Sequence, residues 1–407
     1  MTAEDKFGLD RESRIVGSGV RRVFTPHTPI DSVDLFAGRE KQVRKLIEQM
    51  NTPGQHALLY GDRGVGKSSL ANIVSAVLKE MVGGRLYTKR CDSEDTFESI
   101  VAKPLRGADV DIDGITTTHR KRKGGKGGIS AAGLSLQGGM DSETVEEVDA
   151  SVDLQPSQVV DDLQDHSALL VIDEAGGIQN RTDRQKLAEF IKLLSDAKAD
   201  LNVLIVGIAE TGGQLTGEHP SVQRCLKETE LGGMSESELS EIIFQGADKL
   251  DLTFDENVVM RIVRVSGGYP HFTQLLALKC AEEAIADGRT RINVEDLDVA
   301  IDSAVDDAEG TLSRRYREAT RSYETDMYRI VLVAAAQIGQ TEFTAKELRE
   351  AIAEETGEPI RQNRLNNYLS QLVSEGRETV LRRVQKGIYK FNDPRMPPYV
   401  KIANSKV

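Results

Sequence analysis

The sequence predicts an α/β core built on a parallel sheet, an all-α subdomain behind it, and a small C-terminal domain of three helices and a β-hairpin. Three observations carry this expectation. From residue 36 to about 211, short apolar runs alternate with amphipathic helical stretches, the pattern of a parallel sheet with helices on both faces. From about Leu231 the periodicity is helical only. Beyond residue 322, three helical segments precede two β-compatible runs joined by Gln385-Lys386-Gly387.

At 407 residues the chain exceeds one ordinary core, and about two or three domains are expected. Its 39% hydrophobic and 29% charged residues are those of a soluble protein. No stretch approaches the roughly 18 apolar residues of a membrane span. The opening residues MTAEDKFGLDRESR lack an apolar core with a cleavage site, so a cytoplasmic location is expected. Cys91, Cys225 and Cys280 are far apart, form no CxxC pair, and read as buried free thiols. A net charge of -13 argues against a chain that coats nucleic acid throughout, but the charge is uneven. Residues 311–407 hold 17 Lys/Arg against 12 Asp/Glu, leaving 35 against 53 in residues 1–310.

Residues 1–34 mix charge, Gly and the turn signals Thr25-Pro26, Thr28-Pro29 and Ile30-Asp31, and read as a partly mobile N-terminal arm. The core is expected over 35–230. Its first helix places Val43, Leu46, Ile47 and Met50 on one face and stops at Pro53-Gly54. HALLYG is a buried strand, SLANIVSAVLKEMV a helix, RLYTKRC a strand and TFESIVAKPL a helix. ALLVIDEA and LNVLIVGIAET are two further strands, separated by a helix around Leu187–Leu194. Residues 107–165 break the rhythm with a Gly-rich, charge-segregated insertion, longer than connections usually are. A hairpin is expected there, near Val110–Thr118 and Ile129–Leu136. Its basic tip, Arg120 to Lys123 with Lys126, is followed by an acidic strip from Asp141 to Asp153. That insertion reads either as a solvated loop or as a contact for nucleic acid or a protein partner. Residues 231–310 form four helices with Ser and Asp caps and the stops Gly267 and Gly288. A helix through Arg314 to Tyr328 bridges to the last domain, 311–395, and 396–407 reads as a tail.

The chemistry is concentrated in two segments. Gly61-Asp62-Arg63-Gly64-Val65-Gly66-Lys67-Ser68 matches GxxxxGK[ST] and lies between an expected strand and helix, the context this phosphate-binding motif requires. Its backbone N–H groups and helix N-terminus cradle phosphate, and Lys67 adds a full charge. Ser68, followed by Ser69, is placed to ligate magnesium. LLVIDE delivers Asp173 and Glu174 at the C-terminal edge of the sheet. Alone, such a pair reads equally as a strand cap; beside Lys67 it assigns the metal to Asp173 and the attacking water to Glu174.

Together, GDRGVGKSS and VIDEA resemble the Walker A and Walker B pair of AAA+ ATPases. Phe36-Ala37-Gly38-Arg39-Glu40 resembles the FxGRE box of replication-initiator and STAND-type ATPases, which helps enclose adenine. Gly267-Gly268-Tyr269-Pro270 resembles the GxP signature of the STAND lid, whose proline approaches the base. The resemblance covers roughly 35 to 310. It implies an α/β P-loop NTPase core of the AAA+ type with an all-α lid, ATP and magnesium as cofactors, and a homo-oligomer. No arginine follows GGYP at the second-sensor position, where His271 is the nearest polar residue. The family pattern assigns Thr211 to the first sensor. It assigns Arg224 to the arginine that reaches a neighbour's γ-phosphate, with Arg181 and Arg184 as competitors.

In the C-terminal domain, Leu365, Tyr368, Leu369 and Leu372 anchor the third helix. That leaves Arg361, Gln362, Asn363, Arg364 and Asn367 toward its exposed N-terminal half. Three helices and a hairpin make a winged helix, in which this helix would meet double-stranded DNA. Arg382, Arg383, Lys386 and Lys390 place charge on the wing, suited to phosphate contacts. A protein-interaction winged helix is the other reading, because fold alone does not fix function. Two functions therefore stand. One is an ATP-hydrolysing switch that engages DNA; the other is a STAND-like signalling or defence regulator with a protein trigger and slow turnover.

Overall fold

The computed structural model describes residues 9–110, 154–208, 213, 220–307, 310–322, 325–373 and 379–405. Five runs form one parallel sheet: β1 (His56–Gly61), β2 (Arg85–Arg90), β3 (Ala168–Asp173), β4 (Leu201–Gly207) and β5 (Leu226–Leu231). Their spatial order is β2-β3-β4-β1-β5. The three central strands are buried almost throughout, which is why they read as continuous apolar runs. The edge strand β5, LKETEL, buries Leu226, Thr229 and Leu231 and exposes Lys227, Glu228 and Glu230; its charged letters conceal it in the sequence, which predicts only the other four strands.

Two short helices precede the sheet, α1 (Asp10–Ser18) and α2 (Val20–Val23). Within the partly mobile arm expected for residues 1–34, Ile15, Val20 and Phe24 are buried in the core of the helical subdomain. The apolar positions were too few to announce a helix, yet each finds a partner. Around the sheet pack α3 (Glu40–Met50), α4 (Lys67–Val82), α5 (Phe97–Gly107), α6 (Pro156–Leu163) and α7 (Arg181–Ala197). Leu46, Leu70 and Val74 meet Ala57 and Leu59 on one face. Phe97, Leu163, Phe190 and Ile191 meet Leu58, Leu170 and Ile205 on the other, as the two-residue period of a strand requires. Helix α6 lies inside the expected insertion of 107–165 yet belongs to the core through Val159, Val160 and Leu163; the adjoining acids masked it. The expected basic tip and acidic strip, and nearly all of the expected hairpin, lie outside the described residues.

His56 opens β1, only 1% exposed, and its Nδ1 accepts the Val203 N–H at 3.2 Å. Burial pushes its pKa down to about 4. A folded-state value below the unfolded one means that the unfolded chain binds the proton first. Stability is therefore complete above about pH 6.5 and falls as pH drops toward 4, by roughly 3 kcal/mol for this group. Urea unfolding at pH 7 and pH 4.5 should show that loss in the wild type and a smaller one in His56→Leu; equal losses would remove His56 as the cause.

The helical subdomain comprises α8 (Glu236–Lys249), α9 (Glu256–Ser266), α10 (Pro270–Ala286) and α11 (Val294–Asp307). A two-residue parallel pair, β6 (Thr253–Phe254) and β7 (Arg291–Ile292), ties its connections. Beyond it run α12 (Gly310–Thr320), α13 (Met327–Gln337), β8 (Phe343–Thr344), α14 (Ala345–Thr356), α15 (Gln362–Val373), β9 (Leu381–Gln385), β10 (Ile388–Phe391) and α16 (Met396–Ala403). The bridging helix expected through Arg314 to Tyr328 is broken after Thr320. The Thr325 hydroxyl accepts the Met327 N–H at 3.1 Å and starts a new helix. β8, β10 and β9 form an antiparallel sheet in that order.

The tail expected at 396–407 is instead mostly α16. Pro397 and Pro398 sit in its first turn, where proline costs no helical hydrogen bond, and Met396, Tyr399, Val400 and Ile402 are buried. All three cysteines are free and buried. Among the described residues, no helix is long and apolar enough to cross a membrane.

Candidate nucleotide site

Parallel strands bring all C-terminal ends to one edge of the sheet, and a cavity of about 530 Å³ opens there. Phe36, Arg39, Arg63, Gly64, Val65, Gly66, Lys67, Ser68, Ser69, Asp173, Glu174 and Pro270 all line it. These residues come from separate parts of the sequence, and the fold gathers them on one wall. Gly61 and Asp62 support the wall from behind. A Cβ on Gly61 would stand 2.2 Å from the Leu231 carbonyl oxygen, so only glycine lets β5 pair there. The Asp62 carbonyl accepts a hydrogen bond from Lys67 Nζ at 2.7 Å.

The Ser68 hydroxyl donates to Asp173 Oδ2 at 3.0 Å. The two proposed metal ligands thus already face each other, next to the one lysine that such a site needs. Burial pulls the Lys67 pKa below its ordinary value, opposed by Asp173 and Asp62. Glu174 has a φ of 55°, a left-handed conformation unusual for a side chain of this size. Its N–H donates to Asp173 Oδ1 at 2.9 Å, and Arg90 Nη2 donates to its Oε1 at 2.7 Å. That hydrogen bond from Arg90 holds the Glu174 carboxyl below its usual pKa against the opposing effect of burial.

The lid reaches the site through the Phe36–Glu40 box. Arg39 is 5% exposed, its Nη2 donates to the Gly232 carbonyl at 2.6 Å, and its N–H donates to Glu238 Oε1 at 3.2 Å. A Cβ on Gly38 would come within 2.9 Å of Glu238 Cβ, so Gly38 packs on α8 and does not line the cavity.

Three features of the wall escaped sequence reasoning. Residues 25–30 lie along the cavity and join α4 to α10. The Ile30 N–H donates to Ser69 Oγ at 3.0 Å, the Thr25 N–H donates to Gln274 Oε1 at 3.0 Å, and His271 Nδ1 lies 2.7 Å from the Pro26 carbonyl oxygen. Pro26 sits in a turn, as its signal suggests, with the Thr28 N–H donating to the Thr25 carbonyl at 3.4 Å. Arg90 reaches Glu174 because β2 pairs with β3 in the register Arg90↔Asp173. Arg395 arrives from the far end of the chain.

The other candidates lie elsewhere. Arg224 precedes β5, whose Leu226 pairs with His56 at the start of β1, so it stands at the edge of the sheet opposite Lys67. A six-residue strand spans about 20 Å, too far for action on its own phosphate site. Its guanidinium is ion-paired with Asp196. Arg184 Nη1 donates to the carbonyls of Ile178 and Gln179 at 2.9 and 2.8 Å, fixing the turn before α7. Arg181 opens that helix. Thr211 lies outside the described residues. Arg361, Asn363, Arg364, Asn367, Arg382, Arg383 and Lys386 are all exposed, around α15 and the β9–β10 hairpin.

A glycine-rich loop after β1, an acidic pair at the end of β3 and a helical lid define a P-loop NTPase core of the AAA+ type. The family described as Novel STAND NTPase 1 matches residues 26–375, and the chain belongs to that family. No curated protein matches the sequence. Among solved structures, a Walker-type ATPase of Pyrococcus abyssi shares 17% identity at a TM-score of 0.50, with 93% of this chain and 99% of that one covered. The ORC2 protein of Aeropyrum pernix shares 16% identity at 0.49, covering 95% and 97%. The Cdc6 protein of Pyrobaculum aerophilum shares 15% at 0.48, covering 95% and 98%. At such identities the Pyrococcus likeness is one of fold.

Proposed function

We propose that this chain is a nucleotide-operated switch that binds ATP with magnesium, hydrolyses it, and engages double-stranded DNA through its C-terminal domain. The observation that supports it best is the Ser68 hydroxyl 3.0 Å from the Asp173 carboxylate, beside Lys67 in one cavity. Ser68 and Asp173 would hold magnesium, whose charge neutralises the phosphate oxygens. Lys67 would leave the Asp62 carbonyl for the phosphates. Glu174, adjacent to Asp173, would orient and deprotonate the attacking water. Arg224, on the opposite edge of the sheet, could act only on a neighbouring copy, which fits assembly through the ATPase cores.

The order helix, strand, helix, helix, strand, strand over 327–391 supports reading the C-terminal domain as a winged helix. Its exposed Arg361, Arg364, Arg382, Arg383 and Lys386 would meet phosphates and base edges. A second reading is favoured by the enclosure of the cavity by residues 25–30 and Arg395. It is a regulator that retains its nucleotide until a protein trigger opens it, with segment 107–165 as the contact.

Magnesium-dependent hydrolysis, measured with and without duplex DNA at low and physiological salt, separates the two. Under the first, DNA raises the rate, most at low salt. Replacing Arg364 and Arg383 together by Ala then weakens DNA binding several-fold and reduces its salt slope by about two. Slow hydrolysis indifferent to DNA would transfer the proposal to the protein-triggered regulator.

A further inference from the structure

The structure assigns a second binding site, for a small carboxylate with a short apolar chain, to a cavity at the edge of the parallel sheet opposite the phosphate loop. This cavity, of about 290 Å³, opens where β2, β3 and β4 begin, and Arg85, Ala168 and Asn202 line it there. The length of a six-residue strand, about 20 Å, separates it from Asp173. It shares no lining residue with the nucleotide cavity.

Its floor is apolar. Leu169 of β3, Met50 at the end of α3 and Leu78 near the end of α4 lie there, none more than 8% exposed. Gly84, between α4 and β2, forms part of the wall without a side chain; a Cβ there would come within 3.1 Å of the Ser167 carbonyl oxygen. Three cations converge on the mouth from separate elements: Lys79 in the last turn of α4, Arg85 opening β2 and Lys198 directly after α7. All three are exposed, and among the described residues none of their side chains makes a hydrogen bond or an ion pair. Three cations against the one lining carboxylate, Asp200, leave a surplus of two positive charges.

A cation near a helix C-terminus ordinarily complements the helix dipole, and α3, α4 and α7 all end at this edge. Each of those ends is already closed by a backbone N–H. Asn51 donates to the Ile47 and Gln49 carbonyls, Gly83 to that of Lys79, and Lys198 to those of Leu194 and Ser195. Arg85 opens a strand and complements no helix. Fixed charges of one sign on a low-dielectric wall concentrate the opposite charge, so this cavity suits an amphiphilic anion. Arg85 supplies the planar fork that a carboxylate pairs with, and the lysines add point charges. The volume lies at the lower end of the roughly 300 to 1,000 Å³ of ligand pockets, which keeps the apolar chain short.

Titration calorimetry of octanoate, acetate and 1-octanol tests this on the full chain, its Lys79→Gln/Arg85→Gln double variant and Lys67→Ala. Lys79 and Arg85 are exposed, so their replacement leaves the fold intact, as surface substitutions ordinarily do. Octanoate should bind the wild type saturably and the double variant about 10- to 100-fold more weakly, the effect of a lost charged hydrogen bond. Acetate, which lacks the chain, and 1-octanol, which lacks the charge, should each bind at least about 10-fold more weakly than octanoate. Lys67→Ala should bind octanoate like the wild type, which makes the result independent of the nucleotide reading. Wild-type affinity in the double variant, no saturable binding by the wild type, or acetate or 1-octanol binding as tightly as octanoate would each overturn the proposal. Loss of octanoate in Lys67→Ala with retention in the double variant would place the anion in the phosphate cavity and overturn it as well.

Discussion

Glu174→Gln is expected to lower magnesium-dependent ATP hydrolysis by about 10²- to 10⁴-fold, the span of a lost general base, while leaving ATP affinity close to wild type. The amide keeps the shape of the side chain but cannot take a proton from water. Affinity is spared because phosphate and metal would be held by Lys67, Ser68 and Asp173, which the substitution does not touch. The wild-type carboxylate is ionised at neutral pH, since Arg90 holds its pKa below the ordinary value. It also occupies a left-handed backbone position, which for a non-glycine residue costs on the order of 1 to 3 kcal/mol. Bonds from its own N–H to Asp173 and from Arg90 to its carboxylate keep it there. Single-turnover hydrolysis beside equilibrium ATP binding checks this. A mutant that hydrolyses like wild type would remove Glu174 from the chemistry, and one that also lost ATP would make it a binding residue.

The residues with a covalent spacing were the legible part of this site. Gly61 to Ser68 run without a break from the end of β1 into α4, and Asp173-Glu174 are neighbours, so local sequence carried their geometry. The strands β1, β3 and β4 were equally plain, because burial on both faces demands unbroken apolar runs. What stayed hidden depends on register and on distant parts of the chain. Arg90 is one of several charged letters in RLYTKRC; only its pairing opposite Asp173 sets it on Glu174. The edge strand β5 has one exposed face and looks like solvated helix in one dimension. Residues 25–30 have no period at all, and their place is fixed by single hydrogen bonds to Ser69 and Gln274. Proline misled in MPPYVKIA, where it starts a helix instead of stiffening a tail.

That last element carries the second large expectation: Tyr399→Ala should destabilise the C-terminal part of the chain by about 3 to 5 kcal/mol, as for other large buried rings. Tyr399 is 2% exposed, and its ring stands edge-on to Tyr316, with centroids 5.7 Å apart. The Tyr316 hydroxyl in turn accepts from Asn404 Nδ2 at 2.8 Å, so the contact closes α16 onto α12 at both ends of the pair. Truncation leaves a cavity that neighbours on four helices cannot all fill. In urea, the transition that includes α16 should move to lower concentration with little change in slope. A shift below about 0.5 kcal/mol, the range of ordinary surface substitutions, would mean that 396–405 is the solvated tail its prolines first suggest. A large shift would instead place the segment in the folded core, where Met396, Tyr399, Val400 and Ile402 are buried.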